Sequence, residues 1–379
     1  MSHAPSDALS SRHHIIRQSF ASHSLDALVV TSLPNITYLT NFTGSSAIVV
    51  LTADGLHFIT DFRYVTAVTA SQAGPSGCPG LDLVTVGGSY DATLAGVLQS
   101  MPGARVGFEA GHLTVTRFNW LNVTLGAGDA APALVATEGV VERARVRKDD
   151  YELDILRTAA GMLAGVVPQV IAEVQRGRAE RDVALAIDTL LRRAGFERTA
   201  FDTIVATGPN GALPHARPGE RRIDESDLVV LDFGGVYDSY CVDLTRTVSV
   251  GPAGRRAREV YDAVLAAHDL AIDAVRPGQS RFSIDEAARD ELTRRGFGEA
   301  FGHGTGHGLG IEVHEDPRVG RRRPDVDSGD EALVAGMVFT IEPGVYLPGW
   351  GGVRIEDDVA VTDRGVEVLT NAATGLIEL

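Results

Sequence analysis

Three histidines in the stretch FGHGTGHGLGIEVHEDP (301–317) are the first side chains that could do chemistry: His303, His307 and His314. Five glycines between residues 302 and 310 argue against a helix, because each glycine in a helix costs roughly 1 kcal/mol relative to alanine. In an extended strand His303 and His307 share a face but lie about 13 Å apart, at ~3.3 Å per residue. One metal ion could not bind both without a bend, so we predict different roles for them. A glycine-rich surface loop with incidental histidines is the alternative.

Acidic side chains recur at matched places in two predicted hairpins, LVVLDFGGVYDSYCVDLTRTVSV (228–250) and MVFTIEPGVYLPGWGGVRIEDDVAV (337–361). Turns centred at Tyr237-Asp238 and at Gly349 would place one acidic residue opposite another in each hairpin, with Cβ atoms ~5 Å apart. The facing pairs are Asp232 with Asp243 and Glu342 with Glu356.

Carboxylates at this spacing repel each other by about 4 kcal/mol at an effective dielectric constant near 20. Both hairpins are apolar enough to be buried, which removes screening by water. A shared proton or a cation could relieve the repulsion. Four carboxylates with one imidazole suit manganese, cobalt or zinc better than an iron–sulfur or copper centre. Taken singly, each carboxylate would be a solvated or capped side chain.

An internal repeat in the second half of the chain would position these hairpins. The segments 176–196 and 276–297 share a glycine, a helical pattern and an RxGF ending. A longer helix precedes each, over 150–175 with an interruption at Pro168 and over 255–275. The hairpin at 228–250 follows the first segment, and the hairpin at 337–361 follows the second. Two helix–helix–hairpin units predict a pseudo-twofold α+β domain whose antiparallel sheet is covered by helices.

The first half of the chain reads as a smaller α/β unit. Short β-rich runs such as SLDALVVTS and SAIVVLTADGLHFITD appear, the latter with a hairpin turn at Ala53-Asp54-Gly55. A change to mixed charge and then to a helical period separates a predicted N-terminal domain, 1–146, from a C-terminal domain, 147–379. We expect the opening MSHAPSDALSSRHHIIRQSF to be a polar tail and not a signal peptide.

Composition and charge exclude several classes of partner. The 379 residues carry 34 basic and 50 acidic side chains, a formal net charge of −16, which argues against nucleic acid or anionic lipid as partners. The chain has no run of 18 apolar residues, so we expect no membrane span. Two cysteines, Cys78 and Cys241, without a CxxC motif indicate a reducing, cytoplasmic setting.

With these residues in view, the sequence resembles the pita-bread metallopeptidases, in particular their aminopeptidase P and prolidase branch. The resemblance covers about residues 140–375 through LDFGGVYDSYCVDLTRT, GHGTGHGLGIEVHE, FTIEPGVY and GGVRIEDD. PNITYLTNFTGSSA and FITDFRY are similar, more loosely, to the creatinase-like N-terminal domain of that branch. The resemblance implies a C-terminal pseudo-twofold pita-bread domain of α+β class and a smaller N-terminal α/β creatinase-like domain.

The resemblance also implies a site for two divalent metal ions, manganese first, with cobalt or zinc as alternatives. Asp232 would hold one ion, Asp243 and Glu356 would bridge both, and His307 with Glu342 would complete the second. Glu342 would also act as acid and base toward the attacking water.

The other predicted site residues would act on the substrate or support the ligands. His303 and His314 would hydrogen-bond the substrate and the tetrahedral intermediate, and His215 would flank the substrate pocket. Arg354, two residues from Glu356 on one face of a strand, could form an ion pair behind the ligands. The glycines around His303 and His307 would let a peptide lie against the backbone.

The function implied is hydrolysis of the bond between an N-terminal residue and a following proline. We favour a cytoplasmic Xaa-Pro aminopeptidase that cleaves Xaa-Pro-Yaa tripeptides at least as efficiently as Xaa-Pro dipeptides. The resemblance also implies a homodimer, because relatives in this branch often form homodimers. An Xaa-Pro dipeptidase (prolidase) would need an arginine or histidine to bind the free carboxylate. A catalytically inactive pita-bread module that binds proteins is a further alternative, disfavoured because all five ligand positions are filled.

Overall fold

The computed structural model describes residues 3–128, 130–323 and 332–379. Contacts between residues divide the chain into two compact units, Met1–Arg145 and Val146–Leu379. The boundary predicted from the sequence, between residues 146 and 147, differs from this division by one residue.

The first unit is a six-stranded mixed sheet with helices. Its elements are α1 (Ser6–His23), β1 (Ala27–Val30), α2 (Leu33–Thr40), β2 (Ile48–Thr52), β3 (Leu56–Thr60), α3 (Phe62–Gln72), β4 (Leu81–Thr85), α4 (Tyr90–Gln99), β5 (Arg105–Glu109), α5 (Val115–Leu125), β6 (Ala133–Thr137) and α6 (Val140–Val146). The strand order is β4-β3-β2-β1-β5-β6. Strands β2 and β3 form the predicted hairpin, with Leu51 paired to Leu56.

The opening segment is not a tail, contrary to the expectation from its polarity. It forms α1, whose Leu9, Ile16 and Phe20 are buried. Two polar residues of the same helix are buried too: Arg12 donates to the carbonyl of Tyr38, and His13 bonds the carbonyl of Leu39, both at 2.8 Å. Because polar side chains occupy part of the buried face, the hydrophobic pattern of this helix is weak in the sequence.

The second unit contains two helix pairs, each followed by strands. Its elements are α7 (Asp150–Ala172), α8 (Glu180–Ala194), β7 (Arg198–Thr199), β8 (Ile204–Thr207), β9 (Leu228–Tyr237), β10 (Tyr240–Ser249), α9 (Arg255–Ala274), α10 (Arg281–Arg294), β11 (Gly306–Gly308), β12 (Glu315–Val319), β13 (Val338–Ile341), β14 (Gly344–Leu347), β15 (Gly351–Arg354), β16 (Asp357–Thr362), β17 (Gly365–Val368) and β18 (Ile377–Glu378). This order agrees with the predicted repeat of two helix–helix–hairpin units.

Three sheets carry the strands of this unit. One has the order β18-β10-β9-β7, with β8 also paired to β9; another has the order β12-β11-β13-β16-β17; and β14 pairs with β15 alone. An isolated bridge joins Thr245 of β10 to Glu356, just before β16, so the two larger sheets meet where the acidic residues lie.

Helix α7 is long and apolar enough to cross a membrane by length and composition, a test that core helices of globular proteins also pass. Leu156, Leu163 and Val170 on this helix are fully buried, and the helix packs against β10. The predicted interruption at Pro168 is wrong, because α7 continues through it to Ala172. The helix begins with a capping box in which the side chains of Asp149 and Glu152 each accept a backbone N–H of the other residue.

The glycines around His307 are required by the packing of strands. A Cβ on Gly306 would lie 1.8 Å from the carbonyl oxygen of Thr340, and one on Gly308 would lie 2.2 Å from that of Asp316. Close approach to this backbone was expected from the sequence, but the approaching groups are the neighbouring strands β13 and β12. The expectation that these glycines make room for a peptide is therefore wrong for Gly306 and Gly308.

We predict that Gly306→Ala destabilises the protein by about 1–3 kcal/mol, because the added methyl overlaps a backbone atom that cannot rotate away. Gly302→Ala is the matched control, since a Cβ there meets no atom within 4 Å. The measurement is the free energy of unfolding in urea. Equal stability of the two variants would contradict the packing role of Gly306.

Candidate metal centre and active site

Asp232 and Asp243 lie on one face of the β9–β10 hairpin. Asp232 pairs with Thr245 and Asp243 with Gly234, so the predicted direct pairing of the two aspartates is wrong by two residues. The reason is the turn: Asp238 and Ser239 both have positive φ, +48° and +73°, and form the two-residue turn of the hairpin. A shift of two residues keeps the side chains on the same face, so the carboxylates still converge.

The second hairpin has the predicted register but is interrupted at the acidic residues. Ile341 pairs with Asp357, and Gly344 pairs with Arg354, as a direct pairing of Glu342 with Glu356 requires. The two ladders belong to different sheets, and the glutamates lie in the gap between them. There the N–H of Glu342 donates to the carbonyl of Thr305 at 2.7 Å. The N–H of Glu356 donates to Thr245 at 3.1 Å, which draws Glu356 to the strand that carries Asp243.

Asp243, His307 and Glu356 form a buried cluster of possible metal ligands. One ligand atom from each lies within 4.8 Å of the others, and among the described residues no other such group of three is found. Glu342 adjoins it, with Oε1 3.6 Å from Nε2 of His307. Four of the five predicted ligands are thus in close proximity, and Asp232 lines the same cavity.

Burial and mutual repulsion make these carboxyl groups difficult to ionise. The pKa of Asp243 is raised by burial and then by Glu356 and Asp232. Burial and then Glu342 raise the pKa of Glu356, and burial raises the pKa of Glu342 to about 8, against the opposing effect of Arg354. Without protons or cations the cluster would hold several like charges in a medium of low polarity.

The imidazole of His307 is held in the form that binds metal. Burial, followed by the charge of His314, lowers the pKa of His307 to about 3, so the ring is neutral. Nδ1 lies 3.1 Å from the carbonyl oxygen of Gly308 and donates to it, which leaves the lone pair of Nε2 directed at the carboxylates.

The donor set fits a divalent cation. Oδ1 of Asp243 is buried and has no hydrogen-bond partner among the described residues. A neutral imidazole nitrogen and several carboxylate oxygens are ligands that manganese, cobalt and zinc accept. The residues that could hold the metal are therefore Asp243, His307, Glu342 and Glu356, with Asp232 in the lining of the same cavity.

Arg354 forms an ion pair with one of the predicted metal ligands, Asp232. Its guanidinium group pairs with Asp232, not directly with Glu356. It also donates to Oγ1 of Thr245 at 3.1 Å, and that hydroxyl donates to Oε2 of Glu356 at 2.6 Å. Arg354 therefore balances the charge of Asp232 and reaches Glu356 through one hydroxyl group.

His303 belongs to a separate hydrogen-bonded group that includes Tyr346. Nδ1 of His303 donates to the carbonyl of Gly304 at 2.7 Å, and Nε2 accepts from the hydroxyl of Tyr346 at 2.9 Å. The same hydroxyl accepts from Arg354 at 2.9 Å. Burial lowers the pKa of His303 to about 4, so this ring too is neutral. The expected difference in role between His303 and His307 agrees with these different partners.

All nine predicted site residues line one cavity of about 1060 Å³ in the second unit. They are His215, Asp232, Asp243, His303, His307, His314, Glu342, Arg354 and Glu356. The ring of His314 lies 4.2 Å from that of His307, measured between centroids. His215 follows Pro214, whose carbonyl accepts a hydrogen bond from Arg354 at 3.2 Å. The structure therefore brings the two loop histidines to the same cavity as the acidic cluster.

Arg246 holds the strands that carry the acidic residues together. Its guanidinium group donates to the carbonyls of Thr245 and Glu356 at 2.9 and 2.6 Å and pairs with Asp357 at 2.9 Å. His268 lies 3.1 Å from the other oxygen of Asp357. All of these groups are buried. They fix the backbone of Glu356 against the strand of Asp243.

Sequence reasoning missed Tyr346 and the arginines at the cavity wall. Tyr346 could have been suspected from its glycine neighbours: it pairs with Gly352, and a Cβ on Gly344 would lie 2.4 Å from its hydroxyl. Arg318 pairs with His307 across β11 and β12, which puts both side chains on one face of the sheet. Without the register of these strands, Arg318 was indistinguishable from any surface arginine.

Comparisons with known proteins agree with this geometry. Residues 154–363 match the profile described as metallopeptidase family M24, and residues 12–147 match the creatinase/prolidase N-terminal domain. The uncharacterised peptidase YqhT of Bacillus subtilis is 35% identical over 364 residues, 96% of this chain and 99% of that protein.

Solved structures are similar over nearly the whole chain. The Xaa-Pro dipeptidase from Bacillus anthracis has a TM-score of 0.90 and 34% identity and covers 98% of this chain and 100% of its own. The X-Pro aminopeptidase from Thermotoga maritima has a TM-score of 0.84 and 28% identity, with 96% and 100% covered.

We predict that Asp243→Asn abolishes stabilisation by divalent metal without lowering the melting temperature of the chelator-treated protein. The substitution removes one of several like charges and one metal ligand together. The measurement is the melting temperature with and without added Mn²⁺. For the unaltered protein, metal at 100 times its Kd adds about 2.7 kcal/mol of stability.

Asp238→Asn serves as the control, because it alters an acidic residue of the same hairpin at the turn. This variant should keep the full metal-induced increase. A full increase in Asp243→Asn as well would remove Asp243 from the set of metal ligands.

Proposed function

Because the chain belongs to metallopeptidase family M24 and carries a creatinase/prolidase N-terminal domain, we propose that it hydrolyses the peptide bond before a proline. The observation that carries the proposal is the buried cluster of Asp243, His307 and Glu356 in a cavity that also presents His303 and His314. The names of the similar proteins, an Xaa-Pro dipeptidase and an X-Pro aminopeptidase, support this substrate class.

The metal content proposed is two divalent ions, with manganese ahead of cobalt or zinc. Asp232, Asp243, His307, Glu342 and Glu356 would hold them. Bound metal of this kind supplies a water of lowered pKa and an electrostatic partner for the developing oxyanion. The chain's own residues must then place the substrate and move protons.

Glu342 is proposed as the group that moves the proton. Its raised pKa, about 8 without metal, shows how strongly burial opposes its charge, and its Oε1 lies beside His307 at the centre of the cluster. A carboxyl group whose pKa responds to its surroundings can accept a proton from water and pass it to the departing nitrogen.

His303 and His314 are proposed to contact the substrate. His303 is a neutral ring whose Nε2 is engaged by Tyr346, so its orientation is fixed before substrate arrives. His314 is more exposed, and burial together with Arg318 lowers its pKa. His215 is proposed to lie at the mouth of the same pocket, and Arg354 to hold Asp232 in place.

Recognition of proline must rely on apolar contact. The nitrogen of an Xaa-Pro bond carries no hydrogen, so no acceptor in the cavity can bind it by a hydrogen bond. Phe201, Ile204, Phe301 and Val313 line the cavity and offer the apolar surface that a pyrrolidine ring requires.

Arg318 favours dipeptides over longer peptides, which reverses the preference drawn from the sequence. Its side chain lines the cavity on the same face as His307 and makes no hydrogen bond or ion pair with any described residue. A guanidinium group is the partner that a free carboxylate prefers. We therefore favour an Xaa-Pro dipeptidase. We also propose that the protein is a homodimer in the cytoplasm. Nucleic acids and membranes are not among the proposed partners.

The test of function is a panel of Xaa-Pro dipeptides, their C-terminal amides and Xaa-Pro-Yaa tripeptides, assayed with manganese, cobalt or zinc. We expect dipeptides to have the highest kcat/KM. No hydrolysis of any member with any metal would overturn the proposal and support the inactive module.

Arg318→Gln should lower kcat/KM for dipeptides by about 10-fold to 100-fold, the range expected for a lost hydrogen bond to a charged group. The dipeptide amides, which lack the carboxylate, should be hydrolysed equally by the variant and the unaltered protein. An equal loss for dipeptides and amides would show that Arg318 does not bind the carboxylate, and tripeptides as good as dipeptides would restore the aminopeptidase reading.

A further inference from the structure

A second arginine at the cavity wall, Arg217, has no partner among the described residues. Like Arg318 it lines the cavity and forms no hydrogen bond or ion pair there. Other arginines nearby are held by carboxylates: Arg354 by Asp232, and Arg289 by both oxygens of Asp285 at 2.9 Å. An unpaired guanidinium group at the cavity of a chain with net charge −16 is available for an anionic ligand.

The segment that carries Arg217 is anchored to the unit. Ala216 is buried and packs with Ala206 and Val230, and the carbonyl of Pro214 accepts a hydrogen bond from Arg354. Side chains on either side of Ala216 point away from that core, so His215 and Arg217 both line the cavity.

The chemistry of the substrate limits which anion could reach Arg217. A dipeptide that ends in proline has one terminal carboxylate, for which Arg318 accounts in the proposed function. Proline has no charged side chain. A second anion in such a substrate can therefore only be the side chain of the first residue.

On the basis of the proposed function, we propose that the cavity selects Xaa-Pro substrates whose first residue is aspartate or glutamate, with Arg217 as the group that binds the side-chain carboxylate. Two further acidic residues, Asp202 and Glu299, line the same cavity and would favour a basic first residue. Three arginines of the cavity, whose side chains form no hydrogen bond or ion pair with a described residue, would favour an acidic first residue instead. They are Arg217, Arg318 and Arg321.

The test compares Glu-Pro with Gln-Pro, which differ in one charge and hardly in size, and includes Lys-Pro. The metal-loaded protein should hydrolyse Glu-Pro with a kcat/KM about tenfold above that for Gln-Pro, as a charge-assisted contact at an exposed site implies. The preference should decrease in 1 M salt, because exposed charges are screened there.

Arg217→Gln should lower kcat/KM for Glu-Pro to the level of Gln-Pro and leave Gln-Pro unchanged. Arg255→Gln is the matched control, since Arg255 is an exposed arginine at the start of α9 outside the cavity, and it should keep the full preference. This control separates the effect of Arg217 itself from the effect of removing one positive charge elsewhere on the protein.

Three results would overturn the inference while leaving the proposed function intact. They are equal kcat/KM for Glu-Pro and Gln-Pro in the unaltered protein, an equal loss on both substrates in Arg217→Gln, and a preference for Lys-Pro that Asp202→Asn removes. Absence of hydrolysis of all three dipeptides would overturn the proposed function and the inference with it.

Discussion

The burial of several carboxyl groups around one point is the constraint on which the second unit depends. Asp243 and Glu356 are almost fully buried; burial and then Glu356 raise the pKa of Asp243, and burial and then Glu342 raise the pKa of Glu356. Arg354 pairs with one oxygen of Asp232, but Oδ1 of Asp232 and Oδ1 of Asp243 are both buried without a hydrogen-bond partner among the described residues. Repulsion of about 4 kcal/mol for each close pair must be met by protons or by cations. A chain that keeps such a cluster keeps it for a ligand that compensates the charge.

The surrounding structure serves to hold these groups together against their repulsion. Arg246 ties the backbone of Glu356 to the strand of Asp243, and Asp357 with His268 holds Arg246 from behind. The glycines of β11 let His307 approach between two strands without an intervening side chain. The buried ion pair of Lys148 with Glu315, 3.2 Å apart, anchors the residue next to His314. The proposed metal ligands and His314 are therefore positioned by different buried contacts.

Much of this could be predicted from the sequence, because the informative residues are polar and lie in short motifs. The family, the fold class and the assignment as a metallopeptidase are confirmed by the profile matches and the similar structures. The roles of individual residues stay predictions. The turn of the first hairpin was misplaced because Tyr237-Asp238-Ser239-Tyr240 contains no glycine, although Asp238 and Ser239 both adopt positive φ. Helix α1 was missed because Arg12 and His13 are buried through hydrogen bonds, and Tyr346 because its partners His303 and Arg354 are set by the fold.

Proton release on metal binding is the most direct measure of the central claim that divalent metal replaces protons within this cluster. Calorimetric titration of the chelator-treated protein with Mn²⁺ at pH 7, in two buffers of different protonation enthalpy, counts the protons released. Glu342, with a pKa of about 8, is largely protonated at that pH, and the raised pKa values of Asp243 and Glu356 act in the same direction, whereas the neutral His307 releases none. We expect release of on the order of one proton or more per chain, falling as the pH rises above the pKa of Glu342. Metal binding at pH 7 without proton release would show that the carboxylates are already ionised side by side. That result would contradict the claim that divalent metal replaces protons within the cluster.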